Sequence, residues 1–126
     1  MDKHVCLAVV YRRSLLLVKR KSMLVLPRKK LRQEELEVDC IFYRIIKEIP
    51  GLRINDLIPL GKFNGKNLLR WNPIKDRIYI AKVEKDFFDN SSQAENRIKW
   101  IKNLREDKIS KKTRRIFCIL KNEGCL

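Results

Sequence analysis

The chain has 126 residues, the length of one domain around a single buried core, and we expect residues 1–126 to form that one domain. Hydrophobic residues make up 44% of it, which excludes a disordered chain, and no apolar run approaches the ~18 residues of a membrane span. Lysine and arginine number 30 against 15 aspartate and glutamate, a formal net charge of +15 that favours polyanionic partners.

Heat adaptation raises lysine and glutamate together, so it does not account for an excess of cations alone. The opening MDKHVCLAVVYRRSLLLVKRK puts charge before apolar residues, as a signal peptide does. Arg12 and Arg13 break the apolar run, so a strand pair is the better reading. VCLAVVY (5–11) is rich in β-branched and aromatic residues and predicts a buried strand. RRS turns the chain, LLLVKR (15–20) pairs back as a hairpin, and MLVLP (23–27) extends to a proline. RKKLRQ follows as a basic loop.

From Glu34 to Ile49 the period changes. Val38, Ile41, Phe42, Ile45, Ile46 and Ile49 recur at three- and four-residue spacing and predict a helix with one wide apolar face. Pro50-Gly51 stops it, with Gly51 suited to a left-handed position. LRINDLIPLGKF (52–63) reads as strand pieces, NGKN (64–67) as a turn, and RIYIAKVE (77–84) as an alternating strand. DFFDNSSQAENRIKWIKNL (86–104) reads as a loop and then a helix, with Ser91 or Ser92 as cap and Glu95 closing a capping box. SKKTRRIFCILKNEG predicts a last helix that buries Ile116, Phe117, Ile119 and Leu120 and ends at Gly124. The order predicts a mixed α/β domain, a curved mixed sheet between helices.

The four cysteines, Cys6, Cys40, Cys118 and Cys125, form no C-x-x-C pair, and there is one histidine, so zinc is not expected. Cys6, Cys40 and Cys118 fall in apolar patterns and read as small buried hydrophobes; Cys125 reads as a free thiol near the end. Unpaired cysteines imply a reducing, cytoplasmic setting.

LVLPRKKLRQEELEVDCIFYRIIKEIPGL resembles the signature box of the Nudix hydrolases, which ends R-E-U-x-E-E-x-G-U with U aliphatic. That ending falls on Arg44 to Leu52. The hairpin opening, the Leu-Pro before the box, RIYIAKV after it and AENRIKWI also fall where the family places such elements. The resemblance implies a Nudix-like fold, α+β in type, with a mixed curved sheet sandwiched between helices. It also implies box acids that hold Mg²⁺ or Mn²⁺ and activate water against a diphosphate linkage. Hard cations need several carboxylate oxygens, and helix positions i, i+3 and i+4 supply them from one face.

This sequence departs from the pattern there. The triplet is Ile45, Glu48 and Ile49, and the glycine-rich turn is replaced by Arg28, Lys29 and Lys30. If the chain is an enzyme, Glu48 and Arg44 are the catalytic candidates, and Glu48, Glu35, Glu37 and Glu95 are the metal candidates. Without catalysis, acids at a helix start serve its first turn, Glu95 caps, and Arg44 and Glu48, four apart, form a local ion pair.

Where the acids and glycines are missing, cations appear. Lys19, Arg20, Lys21, Arg28, Lys29, Lys30 and Arg32 form one cluster; Lys108, Lys111, Lys112, Arg114 and Arg115 form another. Arginine makes bidentate phosphate contacts and lysine acts as a point charge, so both clusters are candidate phosphate-backbone sites. The plainer reading of the second is a solvated helix face. Tyr43, Trp71 and Trp100 are candidate stacking rings, and Trp71, beside Arg70 in a loop, is singled out.

The expectation is a catalytically degenerate Nudix-fold protein that needs no cofactor and binds RNA or a ribonucleoprotein assembly. Two alternatives stay open: a Mg²⁺- or Mn²⁺-dependent pyrophosphohydrolase acting on a nucleoside diphosphate-linked substrate, and a protein-interaction scaffold. No membrane partner is expected, and the sequence leaves the oligomeric state undecided.

Overall fold

The computed structural model describes residues 3–49, 51–60, 77–83, 97–105 and 108–126. Seven strands form one mixed sheet: β1 (His4–Tyr11), β2 (Ser14–Arg20), β3 (Met23–Val25), β4 (Arg28–Lys30), β5 (Ile54–Pro59), β6 (Arg77–Val83) and β7 (Ile98–Ile101). The order is β3-β2-β1-β6-β5, with β4 paired to β1 and β7 to β2. β1 and β6 run parallel from Val5↔Arg77 to Val10↔Lys82, and the other pairings are antiparallel.

Both faces of this sheet are covered, which explains why β1 and β2 read as continuous apolar runs. On one face Cys6, Ala8, Leu15, Leu17 and Ile80 pack with Ile116, Phe117 and Leu120 of the last helix, α2 (Lys111–Asn122). On the other face Val5, Leu7, Val9, Leu16 and Val18 pack with Cys40, Ile41, Ile45 and Ile49 of the long helical segment. The predicted sheet between helices is therefore present.

The hairpin turn is at Arg12-Arg13, both with positive φ (47° and 62°), as a two-residue primed turn requires. α2 starts at Ser110, whose hydroxyl accepts the Thr113 N–H at 3.2 Å. It ends with Gly124 at φ 82°, the Cys125 N–H on the Leu120 carbonyl and the Gly124 N–H on that of Lys121. Those two bonds are a Schellman ending, as the terminal glycine predicted. Gly51, at φ 85°, likewise follows the long helical segment.

Four expectations are corrected. Arg28–Lys30 is a strand, β4, because the first residues of β1 offer an open ladder that pairs His4↔Lys30, Val5↔Lys29 and Cys6↔Arg28. Ile98–Ile101 is a strand and not a helix, since β2 takes it antiparallel from Leu15↔Ile101 to Val18↔Ile98. Tertiary pairing overrides the apolar spacing there. The proposed caps at Ser91, Ser92 and Glu95 lie outside the described residues, as do NGKN, Arg70 and Trp71. Cys118 is exposed on α2, whereas Cys6 and Cys40 are buried as expected, and Cys125 is a half-buried free thiol.

The fourth correction concerns the long helix. It begins at Glu37 as α1 (Glu37–Cys40), widens into a π-helical turn over Ile41–Ile45, and tightens to a 3₁₀ turn over Ile46–Glu48. In an α-helix a residue four places on overshoots by about 40°. The wide turn keeps Ile41, Ile45 and Ile49 in line over the sheet, and all three are fully buried. Val38 and Phe42, predicted for the apolar face, are turned outward and exposed.

A cationic seat around Glu48

Glu48 stands at the end of the helical segment, over the end of β2 and the short β4. Arg20 Nη2 donates to both of its oxygens, at 3.2 and 3.1 Å. Lys29 Nζ lies 2.7 Å from Oε1. Arg20 Nη2 also reaches the Arg28 carbonyl at 3.3 Å, tying β2 to β4. Two cavities meet at Arg20. One, of about 300 Å³, is lined by His4, Arg20, Val25, Arg28, Lys29 and Lys30. The other, of about 270 Å³, is lined by Val18, Lys19, Arg20, Glu48 and Arg97.

The expected Arg44–Glu48 pair is not formed. Arg44 grips Glu35 instead, Nε to Oε2 at 3.0 Å and Nη2 to Oε1 at 2.8 Å, and Nη2 also donates to the Lys30 carbonyl. Helical side chains lean toward the N-terminus, which aims Arg44 back at Glu35 and away from Glu48. Nη2 also lies 3.5 Å from the Cys40 sulfur, and burial pushes that thiol up in pKa. The Arg32 N–H donates to Glu35 Oε1 at 2.9 Å. That N–H first, and the Arg44 guanidinium second, hold the Glu35 carboxyl below the ordinary carboxylate range.

A depressed carboxylate stabilises the fold above its unfolded pKa, and that contribution is lost as pH falls through the folded value. Glu35→Gln should therefore lower Tm at neutral pH, and the gap to wild type should close below about pH 4. Thermal scans across that range check this; a gap independent of pH would contradict it.

Glu37 is also engaged. Its Oε1 accepts the Tyr79 hydroxyl at 2.7 Å, and its Oε2 lies 3.6 Å from Arg77 Nε. Burial first, and the Glu37 carboxylate second, push the Tyr79 phenol up to about 12. Glu35, Glu37 and Glu48 thus serve three separate sets of donors, and among the described residues no three His, Cys, Asp or Glu side chains gather. The set of carboxylate oxygens that Mg²⁺ or Mn²⁺ requires is not present among them. Glu95 lies outside the described residues. Ile45 and Ile49 are wholly within the core.

The backbone at the start of the second basic cluster meets that of β3. Lys19 is opposite Leu24 in the β2–β3 register, and the Leu24 N–H donates to the Lys108 carbonyl at 2.6 Å. Lys108, Lys111 and Arg115 are exposed. Arg114 is turned inward: its Nε donates to the Ile109 carbonyl at 3.3 Å and its Nη1 to that of Leu104 at 3.0 Å, clamping the preceding loop. Its guanidinium has a structural task that its place in a basic run did not disclose. Lys21 sits in the β2–β3 turn at φ 56°, and Arg32 is exposed.

Of the candidate rings, Tyr43 is 66% exposed, next to the Arg44 that reaches β4. Trp100 is half-buried and meets Tyr11 edge-on at 6.1 Å, a packing role. Arg97 and His4 were missed by sequence reading. Arg97 enters because its carbonyl accepts the Lys19 N–H at 2.8 Å, and only the β2–β7 pairing brings it there.

No family model matches the sequence, and no curated protein matches it. Solved structures do. The chain superposes on a mutT/Nudix family protein from Listeria innocua with TM-score 0.66 at 15% identity, covering 96% of this chain and 92% of that one. A Nudix hydrolase family member from Chromobacterium violaceum gives 0.63 at 17%, covering 97% and 77%. A pyrophosphohydrolase from Bacillus subtilis gives 0.58 at 18%, covering 98% and 83%.

The chain has the Nudix fold. In this Nudix-fold protein the helical run from Glu37 to Glu48 lies within the segment that resembles the family's box, and the last acid of that run is the one held by Arg20 and Lys29. No helix among the described residues is long and apolar enough to cross a membrane.

Proposed function

We propose that this is a catalytically degenerate Nudix-fold protein that binds RNA, alone or within a cytoplasmic ribonucleoprotein assembly, through its basic surface. The observation that carries the reading is the seat at Glu48. Where the family resemblance asks for converging acids, Ile45 and Ile49 are core residues and Glu48 is closed on by two cations. The cavities beside it are walled by further cations, and the β3 backbone meets that of Lys108. Basic side chains in both clusters suit a phosphate backbone, and exposed Tyr43 adds a ring on which an unpaired base stacks. The test is binding of a fluorescent single-stranded RNA over a salt series. Steep loss of affinity with salt is expected, and absence of binding at low salt would end the proposal.

A second reading is a metal-dependent pyrophosphohydrolase acting on a nucleoside diphosphate-linked substrate. It is favoured by the fold shared with the Bacillus subtilis pyrophosphohydrolase and by Glu48 lining a cavity. Phosphate release from nucleoside di- and triphosphates and dinucleotides, with and without Mg²⁺ or Mn²⁺, separates the two. The degenerate reading expects no turnover above that of Glu48→Gln; metal-dependent turnover that vanishes in this variant would establish the enzyme.

A further inference from the structure

We infer that Arg20 and Lys29 form a phosphate seat whose resting occupant is the protein's own Glu48 carboxylate, which an incoming phosphate displaces. This rests on the anion-binding reading of the same face and assigns Glu48 a role opposite in sign to a metal ligand. An acid that holds a metal helps bind phosphate, whereas an acid that occupies the phosphate's cations competes with it.

Three observations carry it. First, Glu48 bridges cations from two different strands, Lys29 in the middle of β4 at 2.7 Å, a charge-assisted distance, and Arg20 at the end of β2 at a longer 3.1 Å. Second, the bridge is a poor fit for arginine. Both Glu48 oxygens approach the single nitrogen Nη2, whereas a matched oxyanion accepts two parallel N–H bonds from the guanidinium fork. Third, among the described residues Lys19, Arg20, Arg28, Lys29, Lys30 and Arg97 line the two cavities that meet at Arg20, and Glu48 is the one carboxylate beside them. A phosphate brings more negative charge and more acceptor oxygens than one carboxylate. Glu48 is also solvent-accessible, with 31% of its side chain exposed, so it can swing away. The ligand class is a phosphate group, whether a pyrophosphate-bearing nucleotide or an RNA phosphodiester.

The experiment titrates inorganic pyrophosphate, and separately a short 5′-hydroxyl single-stranded RNA, into wild type, Glu48→Gln and the double variant Glu48→Gln/Arg20→Ala. With exposed ion pairs each weighing on binding modestly, Glu48→Gln should tighten pyrophosphate about three- to tenfold, and the double variant should lose that gain. A gain for pyrophosphate alone assigns the seat to nucleotide-type phosphate; a gain for RNA as well assigns it to the backbone. Equal or weaker pyrophosphate binding by Glu48→Gln overturns the inference. If Glu48→Gln does not fold, Glu48→Asp carries the test, because its shorter side chain cannot span both cations. It should bind pyrophosphate more tightly than wild type, and equal or weaker binding overturns the inference. The outcomes also separate this inference from RNA binding as such. Salt-sensitive RNA binding by wild type with no change in Glu48→Gln for either probe ends the inference alone. A pyrophosphate gain without RNA binding by any variant ends the RNA proposal alone.

Discussion

Affinity for single-stranded RNA should fall about 300-fold when salt rises from 50 to 200 mM, if about six phosphates are contacted. Each lysine or arginine that neutralises a phosphate releases condensed counterions, and that release weakens as bulk salt rises. The candidates for these contacts are Arg20 and Lys29 at the Glu48 seat, exposed Lys19 beside Arg20, and exposed Lys108 and Lys111. Removing one contact, as in Lys19→Ala or Lys111→Ala, should lower the slope of log affinity against log salt by about one and weaken all sequences alike. Arg114→Ala is a different case. Its guanidinium holds the Leu104 and Ile109 carbonyls, so its loss should appear in Tm before it appears in the salt slope. Fluorescence anisotropy across the salt range reads all of these. A shallow slope in wild type would mean that the basic surface does not carry binding.

Restoring an acid to the box should unfold the protein and not activate it. Ile45 is fully buried among Ile41, Leu7, Val9 and Leu16. Ile45→Glu would place a carboxylate there with no cation to meet it. An uncompensated buried charge costs about 3–5 kcal/mol, a large share of the 5–15 kcal/mol typical of a whole domain. Ile49→Glu should behave alike, since Ile49 is equally buried. Lys47→Glu, on the exposed side of the same turn, should stay within about 0.5 kcal/mol. Urea unfolding midpoints measure the contrast. An Ile45→Glu protein as stable as wild type would mean that this position faces a polar site, and would reopen the question of a metal centre.

The sequence by itself determined the sandwich and much of its punctuation. The apolar runs of β1 and β2, the alternation of β6, the four-residue spacing of Ile41, Ile45 and Ile49, and the glycines at 51 and 124 are local signals of backbone period and left-handed geometry. It also determined that isoleucines stand where box acids are expected and cations where the glycine-rich turn is expected, because residue identity needs no coordinates. Only the tertiary structure decided how these charges pair. Arg44 meets Glu35 across a bend before the helix, and Glu48 meets Arg20 and Lys29 from two strands, at separations that no local spacing rule reaches. Tertiary contacts likewise made strands of Arg28–Lys30 and Ile98–Ile101, whose own patterns suggested a loop and a helix, because β1 and β2 had backbone donors and acceptors to satisfy. Arg97 joined the site by that second pairing alone. Periodicity is written into neighbouring residues, whereas ion pairing and sheet pairing depend on which distant segments meet, and the phosphate seat proposed here is built from such meetings.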